Sequence, residues 1–337
     1  MKRVKLSDIA LKAGVSTATV SRVLNQSGYA SPDVRDAVLE IAAELGYELP
    51  EVKKTKIDIK PRQTGFIGVI LKKLPVNAFF EAFNKEMIQA AEKKGLLVST
   101  VFCEHLNNET LAAQAKRMIE GGAYGLVVNG FEEGKLNASL KQYLLECGLP
   151  IIFVERLADS QGLNRVSVDN TLGGYLCGQY LASKGHKKIV YIERRSMDDY
   201  VDGGRLGGFM KAVQEAENPP ECIVEYCDSP DPRDAYEAMK RAAARAGDFD
   251  AVQAWYDGYL IGIMQFLYET GRRVPTDVEV VGHDDTYAPL MSPPVSSVHM
   301  PVDKMADTAV SLISESLGEL PAPVIRSVNM EPWLVIR

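Results

Sequence analysis

The stretch LSDIALKAGVSTATVSRVLN, residues 6–25, decides how the chain is read. Leu6, Ile9, Ala10 and Ala13 recur at helical spacing, and Gly14 stops that helix. Val15 is a buried-type residue, and Ser16 caps a second helix, Thr17 to Leu24, with Val20, Val23 and Leu24 inward. Thr17, Ala18, Ser21, Arg22 and Asn25 fall largely on its other side. Ser31-Pro32-Asp33 then supplies a cap, an N1 proline and an acid at the positive end of a third helix. Its inward face is Val34, Ala37, Val38, Ile41, Ala42 and Leu45, and Gly46 ends it. Two short helices joined by a tight Ala-Gly-Val-Ser turn and braced by a third make a helix-turn-helix. Small residues at Thr17 and Ala18 let the second helix enter a major groove, where the Arg22 fork matches guanine O6 and N7. The plainer reading is a three-helix packing module with a solvated Arg22.

Charge favours DNA over mere packing. Residues 1–30 carry Lys2, Arg3, Lys5, Lys12 and Arg22 against Asp8 alone, in a chain of 337 residues with net charge −7. A basic head on an acidic body confines phosphate attraction to one end. The 46% hydrophobic and 25% charged content is that of an ordinary globular protein. No apolar run reaches membrane-spanning length and MKRVKLSDIA lacks a signal-peptide core, so a cytoplasmic location is expected. Cys103, Cys147, Cys177, Cys222 and Cys227 form no CxxC pair and are odd in number, which favours reduced thiols over a disulfide framework. His105, His186, His283 and His299 show no zinc-like spacing. Neither a metal nor a cofactor is implied.

From Phe66 onward, short apolar runs alternate with amphipathic segments. FIGVIL precedes a helix near 78–94, LLVSTVF one near 108–120 and GLVVNG one near 135–147, before IIFVE. A second series holds a helix near 171–184, KIVYIE and one near 204–216, CIVEYC and one near 232–246, AVQAW and one near 257–270, then VEVVGHDD. Apolar strands each followed by a helix predict parallel sheets covered on both faces, here in two similar lobes. Ligands of such sheets meet the loops at the strands' carboxyl ends. Those loops carry Asn77, Glu155, Arg156, Arg205, Asp257, Asp284 and Asp285. An arginine and several carboxylates aimed at one cleft suit a polyol, whose hydroxyls both donate and accept. Singly, each is equally a cap or surface ion pair, and Asp257 is also placed to be a helix N-cap.

The head, with SPDVRDAVLEIAAELGY at 31–47, resembles the lactose/galactose-repressor family nearly position for position. The resemblance implies that Thr17, Ala18 and Arg22 face bases. It makes Ser16, Thr19, Ser21, Asn25, Tyr29 and Ser31 backbone-positioning contacts. It extends through IIFVER, RVSVDNTLGG, GHKKIVYIE, RLGGF, YDGYLIGIMQFLYETGRRVPTDVEVVGHDD and EPWLVIR, which are similar to that family's sensor domain, of periplasmic sugar-binding-protein fold. Arg205 matches the family's effector arginine and Asp284 its effector aspartate. Phe79 and Phe80 fall where aromatics often line the pocket, unless they are core residues of their helix. Glu155 stands where aspartate is usual, Tyr256 where asparagine is usual and His283 where another aromatic is usual. The chain ends without a leucine-heptad tail, so the expected assembly is a homodimer.

The linker, ELPEVKKTKIDIKPRQ at 48–63, departs from the family pattern. A hinge helix there would open at Pro50 and Glu51. Its minor-groove wedge falls on Lys56 or Ile59 according to the direction of counting, with Ile57 between. A hinge dominated by Lys53 and Lys56, attracting phosphates rather than unstacking bases, is the favoured form.

The expected organisation is therefore an α/β protein. A three-helix helix-turn-helix head spans 1–47, a linker 48–63, and a two-lobed parallel α/β sensor domain of periplasmic-binding-protein type 64–337. Lobe 1 is placed at about 64–160 and 293–322, and lobe 2 at about 161–292 and 323–337. The expected function is a regulator, in the first instance a repressor, that binds a pseudo-palindromic operator as a dimer and answers a small polar effector such as a carbohydrate. A phosphoprotein corepressor or a non-sugar metabolite is the alternative. An enzyme is disfavoured: KKLPVNAFF after FIGVIL has no G-x-G-x-x-G, and Gly203-Gly204-Arg205-Leu206-Gly207-Gly208 lacks that spacing.

Overall fold

The computed structural model describes residues 4–24, positions 34, 37, 38, 41, 42, 45 and 47, and residues 65–76, 78–155, 162–195, 204–317 and 325–337. It divides at residue 60 into two compact units.

In the first unit, α1 (Leu6–Ala13) begins where the Lys5 N–H donates to Asp8 Oδ2 at 2.8 Å. It ends at Gly14 (φ 65°), a left-handed position that glycine occupies without Cβ strain. The α2 helix (Thr17–Leu24) starts at Ser16, whose Oγ accepts the Thr19 N–H at 3.1 Å and lies 2.8 Å from Thr19 Oγ1. Ile9, Ala10, Val20, Val23, Val38 and Ala42 form a closed small core. Residues 34, 37, 38, 41 and 42 are helical, at the positions expected for the brace.

The second unit holds two six-stranded sheets. The first has the order β2 (Leu97–Cys103), β1 (Phe66–Lys72), β3 (Ala123–Asn129), β4 (Ile151–Val154), β5 (Asn164–Val168) and β11 (Ser327–Met330), all parallel. α3 (Ala78–Glu92) and α10 (Val302–Ser316) cover one face through Phe83, Met87, Met305, Ala309 and Ile313. On the other, α4 (Asn108–Glu120) and α5 (Ala138–Glu146) bury Leu111, Ala115, Leu140 and Leu144. Strand burial on both faces explains why these runs are almost uniformly apolar.

The second sheet has the order β7 (Glu221–Cys227), β6 (Lys188–Arg194), β8 (Ala251–Ala254), β9 (Glu279–Asp284), β10 (Ser296–His299) and β12 (Trp333–Val335). Only β12, paired with β10, runs antiparallel within it. α8 (Pro232–Ala246) and α9 (Leu260–Glu269) cover one face; α6 (Asn170–Ser183) and α7 (Gly204–Gln214) cover the other.

The lobe boundaries need correction. β5 pairs with β4, and so belongs to the first lobe; β10 pairs with β9 in the second; β11 returns to the first. The chain thus crosses at about 168–170, 299–302 and 330–333, each later than the sequence placed it. A short strand beside a crossing carries the same apolar pattern whichever sheet it joins, so only the pairing reveals its lobe.

Candidate functional site

Glycine rows build the centre of the site. A Cβ on Gly174 would sit 1.8 Å from the Arg205 carbonyl oxygen, and one on Gly208 1.9 Å from that of Thr171. Gly178 approaches the Phe209 carbonyl in the same way, at 2.5 Å. Bare backbone at 174, 178 and 208 therefore lets α6 and α7 pack in direct contact. Gly208, which closes the glycine-rich 203–208 run, is thus a helix-packing residue rather than part of a phosphate loop. Its consequence is positional: the Arg205 side chain is laid over Asn170 at the start of the neighbouring helix.

Three groups meet the Arg205 fork. Nε donates to Asn170 Oδ1 at 2.7 Å, one Nη to the Trp255 carbonyl at 2.6 Å and the other to Asp284 Oδ1 at 3.2 Å. The guanidinium carbon lies 5.0 Å from the Trp255 ring centroid, adding a cation–π contact. Arg205 and Asp284 side chains are only 12% and 6% exposed, so their charges act in a poorly solvated setting. Burial pushes the Asp284 carboxyl up to about 7, with Arg205 pulling the other way and Asp257 and Glu155 adding to the rise.

Glu155, just after β4, faces this group from the first lobe. Its Oε1 accepts the Val168 N–H and its Oε2 the Asn170 amide, both at 2.8 Å. Burial raises its pKa against these hydrogen bonds and the Arg205 charge. Asn170 thus bridges Glu155 and Arg205 across the first crossing. Among the described residues, the non-glycine positions with positive φ are Glu155 (66°), Asp284 (99°) and Asp285 (55°), all at strand ends. Backbone held in the left-handed region at carboxylates is characteristic of functional loops.

Several expected ligand groups are otherwise employed. Asp257 is 0% exposed. Its Oδ2 accepts the N–H groups of Thr286, Tyr287 and Ala288 at 2.7, 2.9 and 2.9 Å, and its Oδ1 the Ser297 hydroxyl at 2.8 Å. It braces the 284–288 loop from inside the lobe, and its carboxyl is raised to about 6 by burial. Phe80 is buried in the first-lobe core, with Phe79 half-buried edge-on beside it at 5.4 Å. Tyr256 donates its hydroxyl to the Pro230 carbonyl and packs on Tyr259, so its ring fills the lobe rather than the cleft. His283 occupies the space left by Gly173 and is kept neutral by burial.

The sequence reading missed Asn170 and Trp255. Asn170 had a signal in the DN that closes RVSVDN at a strand end, and Trp255 in the one large aromatic ending AVQAW. In the head, Ser16, Thr17 and Ala18 are exposed while Thr19 and Ser21 are half-buried. Arg22 lies in α2, but its side chain is outside the described residues, as are Asn25, Tyr29, Ser31, Asn77, Arg156, Lys53 and Lys56.

A helix-turn-helix head followed by two parallel α/β lobes, with a charged cluster at their strand ends, defines the ligand-binding regulators of transcription. The comparisons agree. Residues 5–49 match the profile of bacterial regulatory proteins of the lacI family, and residues 179–337 match a periplasmic binding protein-like domain. The HTH-type transcriptional repressor PurR of Escherichia coli O139:H28 is 29% identical over 342 aligned residues, covering 98% of this chain and 95% of that one. The structure of the transcriptional regulator CelR in complex with cellobiose superposes with a TM-score of 0.65 at 27% identity, covering 99% of each chain. The Lac repressor dimer bound to operator and the anti-inducer ONPF shares the fold, with a TM-score of 0.66 at 24% identity over 99% and 98% of the two chains. The chain thus carries a lacI-family DNA-binding domain and a periplasmic-binding-protein-like domain, and it is similar along its length to regulators of that family.

Proposed function

We propose that this protein is a repressor that binds a pseudo-palindromic operator as a homodimer and is controlled by a small polar effector at Arg205, Asp284 and Glu155. The observation that carries this reading is the Arg205 fork, two of whose arms end on Asp284 and on Asn170, itself held by Glu155 of the other lobe. A polyol that takes over some of these bonds contacts both lobes at once, and so biases their closure. The cellobiose complex of the related CelR favours a carbohydrate; a phosphoprotein corepressor or non-sugar metabolite remains the second reading.

Self-association is supported by apolar side chains left outside the lobes. Leu97 and Phe102 on edge strand β2 are 67% and 38% exposed, and Tyr268 on α9 is 85% exposed. A second copy of the chain is the partner the family resemblance implies. Exposed Thr17 and Ala18 at the start of α2, with Arg22, form the base-reading end, exposed Ser16 positions the backbone, and Lys53 and Lys56 add phosphate contacts. Operation in the cytoplasm, where the DNA lies, follows from this reading; among the described residues no helix is long and apolar enough to cross a membrane.

Two measurements test the proposal. A thermal-shift screen of sugars and sugar phosphates is expected to find a ligand that raises the melting temperature by mass action. Selection from random duplexes is expected to enrich a twofold-symmetric site, for which Arg22→Ala weakens binding by about 1–3 kcal/mol and relaxes one guanine per half-site. Equal binding of wild type and variant to selected and scrambled duplexes overturns the DNA reading.

A further inference from the structure

An open surface cavity, a groove of about 480 Å³, lies beside the second and third crossings, lined by Pro301, Lys304, Met330, Glu331, Pro332 and Trp333. Its size falls in the range of small-molecule sites, about 300–1,000 Å³. None of these residues takes part in the Arg205 cluster. Three features give the cavity a chemical character.

The first is an aromatic platform. Trp333 is 43% exposed, and the His299 imidazole stacks on it at 4.4 Å with a 31° tilt. His299 is fixed in turn by Asp285 Oδ2 at 2.9 Å, whose other oxygen lies 2.6 Å from Arg337. The indole is thus backed by an anchored ring while much of its surface stays open to a second flat ring.

The second is the wall. Pro301 and Pro332 are buried and conformationally fixed, and Met330 supplies an adaptable apolar surface. Such a wall needs little ordering when a ligand arrives.

The third is a pair of opposite charges. Lys304 Nζ lies over the Trp333 ring at a cation–π distance of 5.7 Å from its centroid, a contact that a ligand ring on Trp333 would replace with an ion pair, and Glu331 is exposed on the same rim. Among the described residues, neither has an oppositely charged group within ion-pair distance. A purely anionic ligand would pair with Lys304 but meet Glu331, and a cationic one the reverse. A ligand bearing both charges pairs with each.

We propose that this cavity is a second binding site, separate from the Arg205 cleft, for a small aromatic zwitterion. Its ring lies on Trp333, its carboxylate meets Lys304 and its ammonium meets Glu331. Because the cavity walls come from both 299–302 and 330–333, where the chain passes between lobes, a bound ligand is linked to any rearrangement of the lobes.

The test is calorimetric titration of the full chain with L-phenylalanine, 3-phenylpropionate (no ammonium) and phenethylamine (no carboxylate). Phenylalanine is expected to bind and each half-ligand to bind about fivefold more weakly, the upper end for one exposed ion pair. Lys304→Ala and Glu331→Gln, both at exposed positions, are each expected to weaken phenylalanine by a similar factor. In Trp255→Phe, which leaves Trp333 as the sole tryptophan, binding is expected to change the emission. No heat with phenylalanine at about 10 mM, a range in which even weak binding is seen, overturns the proposal. So does binding unaffected by both Lys304→Ala and Glu331→Gln. Phenylalanine binding left unchanged by Trp333→Ala places the ligand elsewhere and overturns it equally.

Discussion

Replacing Asp257 by alanine separates a brace from a ligand group. The carboxylate takes four hydrogen bonds inside the second lobe, three from consecutive N–H groups at 286–288 and one from Ser297. Stranding those donors costs about 1–3 kcal/mol each if none finds water. Thr286 and Tyr287 are half-buried and recover part of that by turning outward. Removing the carboxylate also relieves its own burial cost of about 3 kcal/mol at neutral pH, since its pKa stands near 6 rather than 3.8. The expected net destabilisation is about 3 kcal/mol, within the range for breaking a buried charge network. Tryptophan emission in a urea titration reads it, because Trp255 and Trp333 both lie in the second lobe. The midpoint is expected to fall by about 1–2 M. An unchanged midpoint with a lost ligand response would refute the brace and return Asp257 to the ligand set.

Three further expectations concern the same region and the head. Asp284, Asp257 and Glu155 all have raised folded-state pKa values, so the native state holds more protons than the unfolded one between about pH 4 and 7, and the stability they contribute is full below that window and lost through it. Asp284→Asn should lessen this fall by up to about 1.4 kcal/mol per pH unit in denaturation curves; an identical slope in wild type and variant would show that Asp284 does not titrate there. Gly174→Ala drives a Cβ into the Arg205 carbonyl and should destabilise by at least about 1–3 kcal/mol and weaken ligand binding, read by melting and titration. Ile9→Ala opens a cavity in the small head core and should cost about 2–5 kcal/mol of head stability, read by hydrogen exchange at α1 and α2 while the sensor domain is unaffected.

Local patterns carried most of the fold. The head was legible because Ser16, Gly14 and the stripe of Ile9, Ala10, Val20 and Val23 each act within a turn or two of chain. The helices at 108–120 and 232–246 were expected at the bounds observed, each opened by a side-chain cap, Asn107 and Asp231. β5, β10, β11 and β12 were not assigned. They are short, but so are the assigned β4 and β8; what sets β5, β10 and β11 apart is a mixed polar and apolar make-up beside chain crossings, NRVSV, SSVH and SVNM, while β12 has three residues.

For the candidate site, residue type foretold location better than task. Arg205, Asp284 and Glu155 come together as strand-end positions predict. Asp257 sits equally well at a strand end, yet its oxygens face inward, and only the position of the 286–288 amides shows that. Gly174, Gly178 and Gly208 carried the missing information: they report a helix–helix contact whose partner a single sequence does not name. Trp255 meets Arg205 through both ring and carbonyl; the ring had a signal in the sequence, the carbonyl none.

If a ligand held by Arg205 controls the head's grip on DNA, the affinity of the full chain for its selected duplex differs with and without the ligand found by thermal shift. Wild type is expected to change affinity on saturation; a shift from 1:99 to 99:1 between states needs about 5.5 kcal/mol of differential binding. Arg205→Ala is expected to bind the duplex as wild type does and to show no response at the same ligand concentration. A full response in Arg205→Ala, or loss of DNA binding in that variant without ligand, would contradict the account.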